Sequence, residues 1–184
     1  MNSILVDEHT ELKLIHLNEA EKLYSLVDSC RPHLRKWLPW VDNTKSSNDT
    51  KGFINFSMKQ FEEDNGFQLG IWHRGALAGM IGLHKIDWNN KATSIGYWIG
   101  EQFEGKGLIS KSCLTLIHVI FQELQLNRIE IRAATENKRS QAVPLRLGFT
   151  HEGTAREAEW LYDHYVDHNV YSILRNDYIK LSNR

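Results

Sequence analysis

The chain has 184 residues, 41% of them hydrophobic and 24% charged, which suits one folded domain with its own core, read here as residues 1–184. A formal net charge of −1 excludes the strong positive excess that general nucleic-acid affinity needs, so no direct nucleic-acid partner is expected. No run approaches the roughly 20 apolar residues that cross a bilayer, Met1 to Thr10 lack the basic start and apolar centre of a leader, and Cys30 and Cys113 stand far apart with no Cys-x-x-Cys pair; a cytoplasmic, reducing setting without a membrane partner is expected.

Glu11 to His16 is expected to open the fold as a strand with Leu12, Leu14 and His16 on one face. Asn18 and Glu21 stand where an N-cap and its capping-box acid belong, and Leu23, Leu26, Val27 and Cys30 give the following helix an apolar stripe. Pro32 interrupts it. Trp37-Leu38-Pro39-Trp40 then leads into a polar loop, Asp42 to Asp49; its tryptophans read equally as a loop's core anchor or as the aromatic wall of a substrate pocket. A second helix is expected from Asp49 to Glu63, marked by Phe53, Phe56, Met58 and Phe61 and ended by Gly66.

From Phe67 the rhythm changes to alternation. Phe67, Leu69 and Ile71 mark one strand, His73-Arg74-Gly75-Ala76 a hairpin turn, Leu77 to Trp88 a second strand, Asn89-Asn90-Lys91 another turn, and Thr93 to Ile99 a third strand. A helix from Lys111 to Leu124, with Leu114, Ile117, Ile120, Phe121 and Leu124 as its apolar face, precedes a strand from Arg128 to Thr135, so that strand, helix and strand form a parallel crossover. Asn137 introduces a short helix that ends at Leu147 and is closed by Gly148, with Pro144 placed early in it, and Phe149 to Glu159 and Asp167 to Leu174 are the closing strands.

The stretch Gln102-Phe103-Glu104-Gly105-Lys106-Gly107-Leu108-Ile109-Ser110 lies between the third strand and the crossover helix. A strand, a glycine turn and a helix start place unpartnered N–H groups and the positive end of a helix dipole together, an anion site suited to a pyrophosphate. The spacing is neither that of a Walker loop, since Gly105-Lys106 is followed by Gly107, nor that of a dinucleotide fingerprint, since Ser110 stands where its third glycine would be.

Gln102-x-x-Gly105-x-Gly107, with Asn137-x-x-Ser140, Leu147-Gly148-Phe149 and Glu152-Gly153 downstream, resembles the two halves of the signature of the GNAT superfamily of N-acetyltransferases. Ile95-Gly96-Tyr97-Trp98-Ile99 and Glu159-Trp160-Leu161-Tyr162-Asp163 are similar to its RimJ/RimL branch, which acetylates the N-terminal α-amine of ribosomal proteins. The resemblance implies an α/β (α+β) fold: a mixed, mostly antiparallel central sheet with a splayed parallel strand pair and helices on both faces. It implies acetyl-CoA as the acetyl donor, with its pyrophosphate on the N–H groups of Gly105, Lys106, Gly107, Leu108, Ile109 and Ser110. Gln102 belongs to the same loop, backbone near Tyr97, Trp98 and Ile99 would hold the pantetheine arm and acetyl carbonyl, and Asn137 would touch the cofactor further along.

The implied reaction is direct attack of a neutral amine on a thioester, so neither cysteine is needed as a nucleophile. Many members of the family place a tyrosine as general acid where this chain has Pro144. RimL-like proteins are similar to this chain in carrying a serine one turn earlier, here Ser140, and a glutamate on the late strand, here Glu159. On that resemblance Glu159 takes the amine proton and Ser140 protonates or hydrogen-bonds the leaving thiolate; the plain alternatives are a helix cap or a cofactor contact for Ser140 and an exposed carboxylate or a partner of Arg156 for Glu159. Trp37, Trp40 and Tyr162 are the substrate-pocket candidates. No metal is expected: in an extended strand His164 and His168 stand roughly 13 Å apart at about 3.3 Å per residue, and both read as turn and strand polarity. The expected partner is a protein or peptide N-terminus, and exposed strand edges leave room for a homodimer. The competing readings are acetylation of a small amine, such as a polyamine or aminoglycoside, and an acyl-CoA-binding protein without chemistry.

Overall fold

The structure, a computed structural model, describes residues 3–182, so Met1 and Asn2 of the opening stretch lie outside the described residues. Eight strands, β1 (Ile4–Asp7), β2 (Thr10–Leu14), β3 (Phe67–His73), β4 (Ala76–Asp87), β5 (Ala92–Ile99), β6 (Arg128–Ala134), β7 (Thr150–Leu161) and β8 (His164–Leu174), form one sheet in the order β1-β2-β3-β4-β5-β6-β8-β7. Neighbours are antiparallel except β5 and β6, which are parallel and joined by helix α4 (Leu108–Gln122), as the crossover reading requires. Helices α1 (Ala20–Ser29) and α3 (Ser47–Glu62) cover one face of the β2–β5 half, where Leu23, Leu26 and Ile54 pack on Trp72 and Met80. Helices α4 and α5 (Lys138–Arg146) lie on the opposite face, over a core that includes Ile81, Ile95, Ile117, Phe121, Ile131 and Val143.

Several elements depart from the sequence expectation for physical reasons. Strand β1 was not anticipated; its four residues pair with β2 and gain their order from that hairpin. The cap before α1 is His16 with Glu19, not Asn18 with Glu21, because a 3-10 turn, Leu17–Glu19, precedes the helix; the Glu19 carboxylate accepts from His16 N at 3.0 Å. Pro32 does not merely interrupt: it sits in the first turn of α2 (Arg31–Arg35), where its missing N–H costs no helix bond. In α3 the buried face is Thr50, Ile54, Ser57 and Gln60, while Phe53 and Phe56 are exposed; Gln60 Nε2 donates to Leu83 O of the sheet, which fixes that face inward. Helix α4 begins at Leu108, and Leu114 points outward while Cys113, Leu116 and Ile120 are buried. Strands β7 and β8 are longer than read and meet in a tight turn at Tyr162 and Asp163. Pro144 lies well inside α5, not early in it.

The far half of the sheet is tied by charge. Arg128 on β6 donates to Glu130 at 2.7 Å and to both oxygens of Glu152 on β7, and Ser172 on β8 donates to Glu152 at 2.7 Å. The Arg128 hydrogen bonds, and then that of Ser172, hold the Glu152 carboxyl down to a pKa of about 2. A depressed carboxylate pKa contributes stability that is present above the unfolded value of about 4.3 and is lost as pH falls through the folded value. Thermal denaturation between pH 5 and pH 2 should therefore show a falling Tm whose slope is flattened in Glu152→Gln; parallel curves for the two proteins would refute the assignment.

Candidate active site

Strand β5 delivers the chain into a 3-10 turn, Glu101–Phe103, closed by Phe103 N donating to Gly100 O at 2.9 Å. Gly105 and Gly107 follow with φ of 73° and 72°, the left-handed region that a Cβ disfavours. A Cβ at either position would meet nothing within 4 Å, so the glycines serve the backbone angle and the space over the loop is open. Alternating left-handed residues turn successive N–H groups to one side, a concavity that takes anions. Among the described residues no amide from Gly105 to Ser110 donates to a backbone carbonyl; the first that does is Lys111, to Gly107 O at 3.1 Å. Cations stand around this cradle. Arg146 at the end of α5 donates to Ser110 Oγ at 2.7 Å, and Lys106 Nζ bonds Gln102 O at 3.1 Å while lying over the Phe103 ring. Glu104, the one carboxylate in the loop, is paired with Arg139 and with His33.

Beside the loop the sheet opens. Strands β5 and β6 are paired only at Ala92 with Arg128, Thr93 with Ile129 and Ser94 with Glu130. Beyond that point β5 continues against β4 to Ile99, and β6 continues against β8 to Ala134 opposite His168, so the two parallel strands part and leave a gap. Side chains alternate across a strand, which sorts the site residues onto two faces. Tyr97 and Ile99 pack with the α4 and α5 core; Gly96 and Trp98 face the other way, as do His168 of β8 and Glu159, which stands opposite Val166.

On the α5 face, Asn137 caps the helix and its Oδ1 accepts from Ser140 N at 3.1 Å. The Tyr97 hydroxyl donates to Ser140 O at 2.9 Å, and Ser140 Oγ donates to the Tyr97 oxygen at 3.4 Å. Burial pushes the Tyr97 hydroxyl pKa far above its ordinary value, so it stays protonated and is a poor proton donor to a thiolate. Cys113, buried in α4, is likewise pushed up by desolvation, and Cys30 is also buried, which leaves neither thiol fit for nucleophilic work.

On the opposite face, Glu159 Oε2 lies 3.4 Å from His168 Nε2, with 33% and 16% of the two side chains exposed, enough to admit an acceptor to the carboxylate while the imidazole is largely enclosed. The partner of Glu159 is thus His168 and not Arg156. A bulge aims it: four steps along β7, from Ala155 to Glu159, match two along β8, from His168 to Val166, and the bulge is held by Glu157 N donating to Asp167 Oδ1 at 2.7 Å. His84 of β4 lies across Gly96, where a Cβ would stand 2.4 Å from the ring, and its Nδ1 is 3.1 Å from Ser94 Oγ at the point where the strands part. Desolvation lowers the His84 pKa, and the charge of Glu159 opposes that shift.

Two of the aromatic candidates, Trp40 and Tyr162, converge on the segment around Leu38. Trp40 packs on Trp98 with ring centroids 5.8 Å apart, and Trp37 is half-buried one turn before it. Tyr162 reaches this segment from the β7–β8 turn: its hydroxyl donates to Leu38 O, and the Arg35 guanidinium lies 3.9 Å over its ring. The sequence reading missed His84, the partnership of His168, Arg146 and the Tyr97 hydroxyl. A glycine facing a histidine across paired strands could have pointed to His84; nothing local marks the others. Among the described residues no group of three or more His, Cys, Asp or Glu side chains could hold a metal, and no helix is long and apolar enough to cross a membrane.

Residues 10–150 match the model of the acetyltransferase (GNAT) domain. YdaF of Bacillus subtilis (strain 168), provisionally named a ribosomal N-acetyltransferase, is 38% identical over 94% of this chain and 95% of its own. The ribosomal-protein-serine acetyltransferase of Escherichia coli (strain K12) is 32% identical over 92% of this chain and 95% of its own. Among solved structures, RimL, a ribosomal L7/L12 α-N-protein acetyltransferase in complex with coenzyme A, superposes with a TM-score of 0.91 at 28% identity, covering 94% of this chain and 98% of that one.

Proposed function

The chain belongs to the acetyltransferase (GNAT) domain family and is an acetyl-CoA-dependent N-acetyltransferase, and from that premise we propose that its acceptor is the N-terminal α-amine of a protein, a ribosomal protein in the first instance. The observation that carries this reading is the gap between β5 and β6, with the free amides of Gly105 to Ser110 at its mouth, Ser140 on one face of the sheet and Glu159 on the other. Acceptor and donor can meet there from opposite faces.

In this reading the amides of Gly105 to Ser110 take the diphosphate of acetyl-CoA, with Arg146 and Lys106 adding positive charge and Gln102 holding the loop through its carbonyl. The exposed β5 edge at Tyr97, Trp98 and Ile99 takes the pantetheine amides. Asn137 contributes through Nδ2, since its Oδ1 is engaged in the cap. Acetyl-CoA supplies a thioester carbonyl open to attack. An α-amine has a pKa of about 7.7–8.0, so a working fraction is neutral near pH 7. Its nitrogen forms the new C–N bond, Glu159 accepts the proton it sheds, and the C–S bond breaks as the Ser140 hydroxyl turns from Tyr97 to donate a hydrogen bond to the departing sulfur. His168 holds the Glu159 carboxylate in place. The Trp40–Trp98 wall, with Trp37 and tied in by Tyr162, bounds the acceptor side.

The test is CoA release with a panel of acceptors: a ten-residue peptide with a free N-terminal serine, the same peptide with its α-amine blocked, and spermidine. Turnover of the free peptide alone is expected. Equal turnover of the blocked peptide, or turnover of spermidine alone, would overturn the α-amine assignment, and CoA binding without turnover of any acceptor would overturn the catalytic roles.

A further inference from the structure

In an α-helix the N–H of each residue bonds the carbonyl four residues earlier. Pro144 has no N–H, so the Ser140 carbonyl receives no helix bond from that position, where a proline ring also crowds the carbonyl four residues earlier. A half-buried carbonyl left unpaired is costly. The Tyr97 hydroxyl reaches across from β5 and donates to this oxygen at 2.9 Å, and the same hydroxyl oxygen accepts from Ser140 Oγ at 3.4 Å. One side chain thus supplies the donor that the helix lacks and holds Ser140 in place, and the long 3.4 Å bond from its hydroxyl is given up when that single proton turns to the departing sulfur.

We infer that Tyr97 is a positioning residue for Ser140: through its side chain it makes the hydrogen bond that Pro144 cannot, and so fixes the first turn of α5 and the Ser140 hydroxyl beside the gap. The inference rests on the reading of Ser140 given above and extends it. It also accounts for a proline where a helix former would be expected. Proline frees a carbonyl for the strand to grip, which locks α5 to β5 at the level where β5 and β6 have parted. Gln141, the next residue, adds a second lock on the same helix, with Nε2 on Ala134 O at 2.9 Å and Oε1 accepting from Tyr171 at 3.1 Å.

The experiment is a set of crossed variants, Tyr97→Phe, Pro144→Ala and Ser140→Ala, singly and with Tyr97→Phe in each of the other two. Acetyl transfer is followed with acetyl-CoA and a serine-initiated peptide, and Tm is recorded for each protein. Tyr97→Phe is expected to lower kcat about tenfold with KM for acetyl-CoA within about twofold, and to lower Tm by about 3–6 °C. In the Pro144→Ala background the Ala N–H takes up the Ser140 carbonyl, so the same Tyr97→Phe change should cost under about twofold in kcat and little in Tm. In the Ser140→Ala background it should cost no further kcat. A loss from Tyr97→Phe that is equal in all three backgrounds, or that falls only on KM for acetyl-CoA, overturns the inference. Wild-type kcat in Ser140→Ala would remove the role of Ser140 and the positioning role together, while the Tm coupling between positions 97 and 144 decides the hydrogen bond separately.

Discussion

Glu159→Gln is expected to lower kcat/KM for an N-terminal peptide by about two to three orders of magnitude at pH 7, with the affinity for CoA within about twofold of wild type. The substitution keeps the size of the side chain and a hydrogen-bonding group for His168, 3.4 Å away, so the bulge and the imidazole should stay in place. On the proposed mechanism, what is lost is a proton acceptor on the acceptor's face of the gap. The deficit should shrink above about pH 9, where the α-amine is already neutral and hydroxide can take the remaining proton. Steady-state rates from pH 6 to pH 10 check this. A deficit under about threefold at every pH would remove Glu159 as the base, and a uniform rise in KM alone would make it a binding group.

The second large effect falls on the donor side. Gly107→Val puts a β-branched residue at φ 72°, a strain of about 1–3 kcal/mol if the loop keeps its shape. Because a Cβ at Gly107 meets no neighbour within 4 Å, the damage is to backbone angles, and the loop can relax only by turning its amides away from the cradle. The dissociation constant for CoA, by calorimetry, should rise about 10–100-fold. Gly75→Val provides the comparison: it carries the same strain, at φ 79° in the β3–β4 turn, and should lower Tm without touching CoA affinity. Equal CoA affinity in Gly107→Val and wild type would mean that the amides of this loop do not hold the diphosphate.

Much of the molecule is legible in the chain because its signals are local. A left-handed turn needs Gly105 and Gly107 wherever it lies, and Asn137 caps its helix through the next few residues. The alternation of β3, β4 and β5 and the β5–α4–β6 crossover follow from periods of two and about 3.6. The errors came where a helix face is chosen by its neighbour: Phe53, Phe56 and Leu114 are apolar but face outward, because the positions that meet the sheet are fixed by packing and by Gln60 bonding a strand carbonyl.

The glycine turn ahead of a helix and the β5–α4–β6 crossover are readable from short-range pattern alone, because each depends on residues close together in the chain, whereas Ser140 and Glu159 stand out only through the family resemblance. What those two side chains meet is set by how strands and helices dock. Without the bulge Glu157, not Glu159, would stand opposite Val166, and no pattern in β7 reveals those extra residues. His168 belongs with Glu159, and the Tyr97 hydroxyl with a carbonyl 43 positions away, because strand register and the proline in α5 bring them within reach. Such pairings depend on how separate elements dock, and a single-residue slip in register would turn each side chain to the other face of the sheet.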